Sequence, residues 1–412
     1  MSEAAAKALD AADSLARYRS RFALPEGTAY LKGNSLGAMP LPVDDTVRTI
    51  LDQWRTRQVR AWNEGWYDLS RRLGAKVASL LGVEADEVII GESTTIAWHK
   101  LCSAALEAQP GREEIVTDDL NFPSDLYALQ GLARQRGARL KVVPSNGIAL
   151  PPEGIASALT DESGVLALSH TAYRSAYVHD LETVQTLARR RGILTVWDLS
   201  HSFGVMPIPL REAHADMAAG CLYKYASGGP GAPAFLYVRR DLQDRLANPL
   251  QGWFGHAAPF EFEETYRPAE GIARFLTGTP PIVSLAAIEP GVDLLAEAGI
   301  EAIREKSMAL TRYAVDQYDA LPDAGELALA TPRDPEQRGA HIAFTHPEAF
   351  ALSRALIAED IVVDFRAPDL LRMGFAPLTT RFHDVLRAMD RLASMLASGE
   401  HRSIQVDRPA VT

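Results

Sequence analysis

From about residue 86 the sequence alternates short apolar strands with helices, and this rhythm limits the fold more than any other feature. Residues 87–90 form a strand, Gly91 a turn and residues 93–106 a helix. Residues 115–116, 140–143 and 164–168 read as further strands. Asp180 is placed to cap a helix running to Arg191, Gly192 ends it, and residues 193–197 make a fully apolar strand. Strands and helices in alternation require a mostly parallel sheet with helices on both faces, an α/β fold. The strand at 234–238 comes soon after the glycine-rich stretch 228–231, which allows a local antiparallel return. Before this region, Val47, Ile50, Leu51 and Trp54 recur at helical spacing and predict an amphipathic helix over 44–62. After about residue 285 the pattern changes to a long helix over 290–321, a strand at 341–345 and a helix at 347–360. Short strands around 361–365 and 370–375 and a last helix at 382–398 complete a smaller α+β unit. The expected division is an N-terminal arm and helix (1–60), a large α/β domain (61–289) and a small C-terminal domain (290–412).

Composition excludes several alternatives. A chain of 412 residues, 47% hydrophobic and 23% charged, has ordinary globular proportions and enough length for a sizeable core. A net charge of −11 argues against nucleic acid or an anionic membrane as the main partner. With only Cys102 and Cys221, neither a disulfide framework nor a four-cysteine zinc site can be built. Residues 1–20 carry Glu3, Asp10 and Asp13 and lack the apolar stretch of a signal peptide, and no run suggests a membrane span. A cytoplasmic protein is expected. Only seven of its 42 basic residues are lysines: Lys7, Lys32, Lys76, Lys100, Lys141, Lys224 and Lys306.

In an open parallel sheet, ligands bind beyond the carboxyl ends of the strands. Three segments stand there. Gly91-Glu92-Ser93-Thr94-Thr95 opens a helix, where free N–H groups and hydroxyls favour an anion; a plain Ser/Thr helix cap would use the same residues. Trp197-Asp198-Leu199-Ser200-His201 puts an aspartate at the end of an apolar strand, fit for a cationic ligand group or for a helix cap. Gly220-Cys221-Leu222-Tyr223-Lys224-Tyr225 places a lysine in an aromatic, glycine-rich turn, where desolvation frees its amine for Schiff-base chemistry. The other six lysines read as polar helical or edge residues. Pyridoxal phosphate needs a lysine for its aldehyde, a carboxylate for its pyridine nitrogen and an anion cradle for its phosphate. Together the three segments supply all of them.

Three motifs are set aside. Gly33-Asn34-Ser35-Leu36-Gly37 matches the G-x-S-x-G elbow of serine hydrolases, but Pro40 and Pro42 stand where the required helix should begin. It reads instead as a tight loop that could line a site. Gly228-Gly229-Pro230-Gly231 has the wrong spacing for a dinucleotide fingerprint. His341 and His346 are five apart with no further ligands expected near them, so no metal site is assigned.

Longer segments carry a resemblance to a known family. YLKGNSLGAMP (30–40), WNEGWYDLSRRLG (62–74), NFPSD (121–125), WDLSHSFG (197–204), GCLYKYASGGPG (220–231), GWFGH (252–256) and IVVDFRAPDLLRMGF (361–375) run through nearly the whole chain. On these the sequence resembles the kynureninases, fold-type-I pyridoxal-phosphate enzymes of tryptophan degradation, in which a large α/β domain is joined to a smaller α+β one. The resemblance implies that Lys224 holds the cofactor and later moves protons, that Asp198 pairs with the pyridine nitrogen, and that Phe122 stacks on the ring. Asp125 and His201 would lie at the ring's polar edge. Thr94, Thr95, Ser169 and Tyr223 would contact phosphate or cofactor, with Trp253 and Thr279 reaching the phosphate from a neighbouring subunit of a homodimer. Arg372 would take the substrate carboxylate, whose geometry its planar fork matches, and Asn34 and Trp62 would stand near the substrate's aromatic end. Two positions depart from the family pattern: Thr279 stands before Pro280-Pro281 where asparagine is frequent, and Ser175 where threonine is common.

The implied reaction is hydrolysis of L-kynurenine to anthranilate and L-alanine, with Tyr223 as general acid–base or only as a phosphate donor. Trp62 leaves no obvious polar partner for the hydroxyl of 3-hydroxykynurenine, so kynurenine is the expected substrate. Two rivals remain: a desulfurase or selenocysteine lyase on the same fold, which wants a reactive cysteine on a mobile loop, and a non-catalytic sensor that keeps the cofactor.

Overall fold

The computed structural model describes residues 2–403. A seven-stranded sheet forms its centre. Across the sheet lie Val88–Ile90, Phe235–Val238, Met217–Gly220, Leu194–Asp198, Ser163–Ser169, Glu114–Asp118 and Arg139–Val143. All neighbours pair in parallel except Phe235–Val238, which runs antiparallel to both strands beside it. The central strands are apolar runs because helices cover both faces, so every position from Ser163 to Ser169 is buried. Local signals set the helix ends. The Asp180 carboxylate accepts the Thr183 N–H at 3.0 Å and opens the helix Leu181–Arg190. Pro123 begins the helix Pro123–Arg136, and Gly137 closes it in the left-handed region at φ 67°.

A four-stranded antiparallel sheet organises the C-terminal part, in the order Ala328–Leu329, His341–Thr345, Leu370–Gly374, Asp364–Arg366. Its core joins Leu310, Ile342, Phe344, Leu352, Phe375, Val385 and Met389.

Four expectations need correction. The long helix over 290–321 is two helices, Ile282–Ala298 and Ile300–Asp319, separated by Gly299 at φ 82°, ψ 131°, a conformation outside any helix. The division expected at 289/290 therefore falls inside the first helix, which continues through Pro290. The helix expected over 44–62 ends as Val43–Arg57, where Gln58 takes φ 51°, and a 3₁₀ segment Gln58–Glu64 comes next. The N-terminal arm is also not one unit. Ala6, Ala29 and Leu31 belong to the C-terminal core. Ala29–Tyr30 pairs in parallel with Ile361–Val362. The Asp10 carboxylate accepts the Phe382 and His383 N–H groups that open the helix Phe382–Ser398. Among the described residues no helix is long and apolar enough to cross a membrane.

Candidate active site

The carboxyl ends of the parallel strands carry Phe122, Asp125, Ser169, Asp198 and His201. The strand Glu114–Asp118 leads into a pinned loop. There Asp118 accepts the Leu120 and Asn121 N–H groups, while Asn121 donates to Thr117 and to the Ala167 carbonyl and accepts the Ser169 N–H. This fixes where Phe122 and Asp125 stand. In the next pair, Ser169 lies directly opposite Asp198. Asp198 Oδ1 accepts both the N–H (2.9 Å) and the hydroxyl (2.6 Å) of Ser200, which orients the carboxylate.

Asp125 is buried beside Asp198, and its Oδ2 has no hydrogen-bond partner. Burial, and then the charge of Asp198, push the Asp125 carboxyl well above its ordinary range, while Lys224 pulls the other way. Lys224 Nζ lies 3.3 Å from His201 Nδ1 and 5.9 Å from the centre of the Tyr223 ring. Burial, followed by the charge on Lys224, holds His201 well below its ordinary value, so its ring is neutral and can accept from the ammonium. Cys221, then burial, raises the Tyr223 phenol, which therefore stays protonated and donates. One sequence inference changes here. Lys224 is only half-buried, whereas Lys32, Lys100 and Lys306 are the buried lysines.

At the start of the helix Thr94–Glu107, Ser93 occupies the capping position but makes no side-chain cap bond. The Thr94 hydroxyl is buried without a partner, and Thr95 is exposed. The simple cap is thus not formed, and free N–H groups and hydroxyls stand together at the helix start.

The glycine-rich loop set aside as a hydrolase elbow packs on the lysine turn. Gly37 donates its N–H to the Tyr223 carbonyl at 2.8 Å, and a Cβ at Gly37 would fall 2.2 Å from the Lys224 carbonyl oxygen. Asn34 is buried with both amide atoms unpartnered, lodged where a Cβ on Gly374 would be 2.1 Å from its Oδ1. Arg372 is buried as well. It donates to Asp364 and to the Tyr173 carbonyl, leaving Nε unpartnered. Tyr173 meets Phe122 edge-on at 5.2 Å and lies 5.9 Å from the Arg372 guanidinium. Sequence reasoning assigned no role to Tyr173, Asp364 or His341. His341 is fully buried 5.7 Å from the His201 ring, and its only signal was an isolated histidine on a strand. Ser175 is structural: its hydroxyl donates to the Ile148 carbonyl at 2.6 Å.

Trp62 and Trp253 belong to one aromatic cluster. Trp62 packs on Trp66 and Phe254, and Phe254 packs on Trp253 at 4.6 Å. Trp253 also meets Phe260 and stacks with the exposed Phe262. Thr279 is exposed, two positions beyond Thr277. An open cleft of about 1090 Å³ borders this region at Tyr67 and Phe254, and neither Lys224 nor Asp198 lines it.

The expectation that no ligands gather near His346 is also corrected, since Glu348 and His401 stand with it. The Glu348 N–H already occupies His346 Nδ1, and Arg402 and His401 already engage the Glu348 carboxylate. Cys102 and Cys221 are both buried, and burial raises both thiols.

Residues 303–392 match the family model of the kynureninase C-terminal domain. The chain is similar to the kynureninase of Pseudomonas fluorescens, with 43% identity over 397 residues that cover 94% of each chain. It is similar to the kynureninase of Burkholderia mallei (strain SAVP1), with 42% identity over 416 residues that cover 99% of each. Among solved structures it resembles a mutant of C-DES with glycine covalently linked to its PLP cofactor (TM-score 0.81, 19% identity, 91% of this chain and 98% of that one). It also resembles the apo cysteine desulfurase of Thermococcus onnurineus NA1 (TM-score 0.78, 20% identity, 94% and 98%). These two likenesses establish the fold alone, that of fold-type-I PLP enzymes. Identity at the level of the two kynureninases, over nearly the whole of each chain, makes this chain a member of the kynureninase family.

Proposed function

We propose that this protein is a pyridoxal-phosphate enzyme that hydrolyses L-kynurenine to anthranilate and L-alanine in tryptophan degradation. The identity to named kynureninases over 94% or more of both chains carries the reading. The residues present fit the cofactor. The unpartnered Thr94 hydroxyl at a helix start suits a phosphate, and two facing carboxylates with a free Oδ2 suit a protonated ring nitrogen.

When bound, pyridoxal phosphate acts as an electron sink that stabilises negative charge at the substrate's α and β carbons. Lys224 Nζ would hold the cofactor and would take and return the proton at the substrate's Cα. Neutral His201 keeps that amine oriented by accepting from it. Asp198 would pair with the ring N–H, with Asp125 and Ser169 at the polar edge. The Phe122 ring would pack on the cofactor. Thr94, Thr95 and the Tyr223 hydroxyl would hold the phosphate. A phenol that stays protonated is suited to deliver a proton to Cβ when the Cβ–Cγ bond opens, which is the role we assign to Tyr223. Arg372 Nε–H takes the substrate carboxylate, with Asp364 and the Tyr173 carbonyl fixing the guanidinium. Asn34 offers its amide to the substrate's aromatic end.

Two copies complete each site in this reading. The cluster of Trp62, Trp253, Phe260 and Phe262 is partly exposed and suits a second copy. From it Trp253 and Thr279 reach the partner's phosphate and Trp62 the partner's substrate. We place the boundary between the cofactor domain and the smaller domain at Gly299, and the enzyme in the cytoplasm. Kynurenine is preferred over its 3-hydroxy derivative.

The test is product formation by the cofactor-loaded protein. Anthranilate fluorescence should rise with L-kynurenine, and no sulfide should appear with cysteine. Sulfide release without anthranilate would overturn the reading in favour of a desulfurase. A loaded protein inert to both would favour a sensor.

A further inference from the structure

The most deeply buried lysine lies outside the constellation described above. Lys100, on the second turn of the helix that Thr94 opens, is 1% exposed. Its ammonium donates to Glu92 Oε2 at 2.7 Å and to the Phe275 carbonyl at 2.6 Å. The other oxygen of Glu92 accepts the Thr277 hydroxyl. Burial alone would raise the Glu92 carboxyl, but Lys100 and Thr277 more than offset it and hold the group below its ordinary value.

Both oxygens of the Glu92 carboxylate are therefore engaged. Its backbone carbonyl accepts the Ala234 N–H at 2.7 Å, which joins it to the strand after the lysine turn and its glycine stretch. Two residues later comes the Thr94-Thr95 cradle. Thr277 continues the chain of contacts in the other direction. Its carbonyl accepts the Phe254 N–H at 3.0 Å, and Gly252 lies so close that a Cβ there would be 2.3 Å from the same oxygen. Trp253 sits between these two residues, and Thr279 lies two positions beyond Thr277.

We propose that Glu92, Lys100 and Thr277 form a positioning unit that locks the phosphate cradle of one subunit to the Trp253 and Thr279 segments that the same subunit offers to its partner. The inference rests on the shared-site reading above. A buried ammonium between a carboxylate and a carbonyl is held in one geometry, because losing the carboxylate would leave an unpaired buried charge and losing the carbonyl an unmet buried donor. The unit thus makes the position of each subunit's outgoing segments depend on its own cradle, and links cofactor binding in one site to the other.

Hybrid dimers test this. One subunit carries Lys224→Ala, so that only the other holds cofactor through a lysine. Lys100→Met is then added either to the subunit with the working site or to its Lys224→Ala partner. The readout is pyridoxal phosphate titrated by absorbance at the working site. We expect weaker binding in both arrangements, by about tenfold for one misplaced charge-assisted phosphate contact. Thr277→Val, which removes one hydroxyl and leaves the ion pair in place, should weaken binding from the partner side in the same direction if Lys100→Met fails to fold. Unchanged cofactor affinity when either substitution sits only in the partner overturns the proposal. The control separates this from failure of the underlying reading: an unsubstituted dimer that binds no cofactor at Lys224 would sink the shared-site function itself.

Discussion

Asp125 shows what burial beside a like charge does to one carboxyl. Buried against Asp198, its carboxyl is held well above the ordinary range, with Lys224 pulling the other way. A carboxyl raised in the folded state contributes stability that is complete below its unfolded value, about pH 4, and is lost as pH rises through the folded value. Cofactor-free Asp125→Asn should therefore be more stable than the cofactor-free native protein near neutral pH and no more stable in acid. Urea unfolding at several pH values checks this, and equal stability at neutral pH would contradict the assigned burial. Asp198 could be read from the sequence because a fold rule places residues at strand ends, and Lys224 because it stands in an aromatic, glycine-rich turn. Lys100, Asp364 and His341 could not. Whether a polar side chain is buried is decided by segments that fold onto it, and Phe275, which receives the Lys100 ammonium, is 175 residues away. The inference that Lys224 was the desolvated lysine failed for the same reason.

At the scale of elements, the strand–helix rhythm located every strand of the main sheet except Met217–Gly220, because apolar runs bounded by caps and glycines are local signals. That strand is four small or flexible residues, Met-Ala-Ala-Gly, with no β-branched side chain to mark it. The break at Gly299 was missed, since one glycine inside a helical pattern is usually tolerated and only its φ of 82° reveals the turn. The loop 33–37 was recognised as non-helical from its prolines, but its partner was not visible. It lies on the lysine turn, with Gly37 against the Lys224 carbonyl. Gly37→Ala should push the loop off that turn and weaken cofactor binding about tenfold, the effect of one lost or strained contact at the site. An absorbance titration measures this. Unchanged affinity would mean that the loop moves without disturbing Lys224.

Across the whole molecule, three buried histidines make stability depend on pH. His170 is pushed down to about 3, chiefly by burial, and His201 and His341 are held well below their ordinary value by burial and nearby cations. A depressed histidine contributes stability that is complete above its unfolded value, about pH 6.5, and is lost as pH falls toward the folded value. Below pH 6.5 the unfolding free energy should drop by about 1.4 kcal/mol per pH unit for each such group. Unfolding free energies compared between neutral and mildly acidic pH would show the loss, and a flat profile would contradict it. The N-terminal arm does not stand apart at this scale. It joins the C-terminal core through Ala6, Ala29 and Leu31, a long-range packing that no local pattern announces.

The central claim is that one lysine of seven holds the cofactor. Borohydride reduction of the pyridoxal-phosphate-loaded protein, with peptide mapping afterwards, reads this directly. The cofactor's mass should be fixed to the peptide containing Lys224, and Lys224→Ala should carry none while losing anthranilate formation. Label on Lys32, Lys100 or another lysine, or turnover retained by Lys224→Ala, would contradict the account.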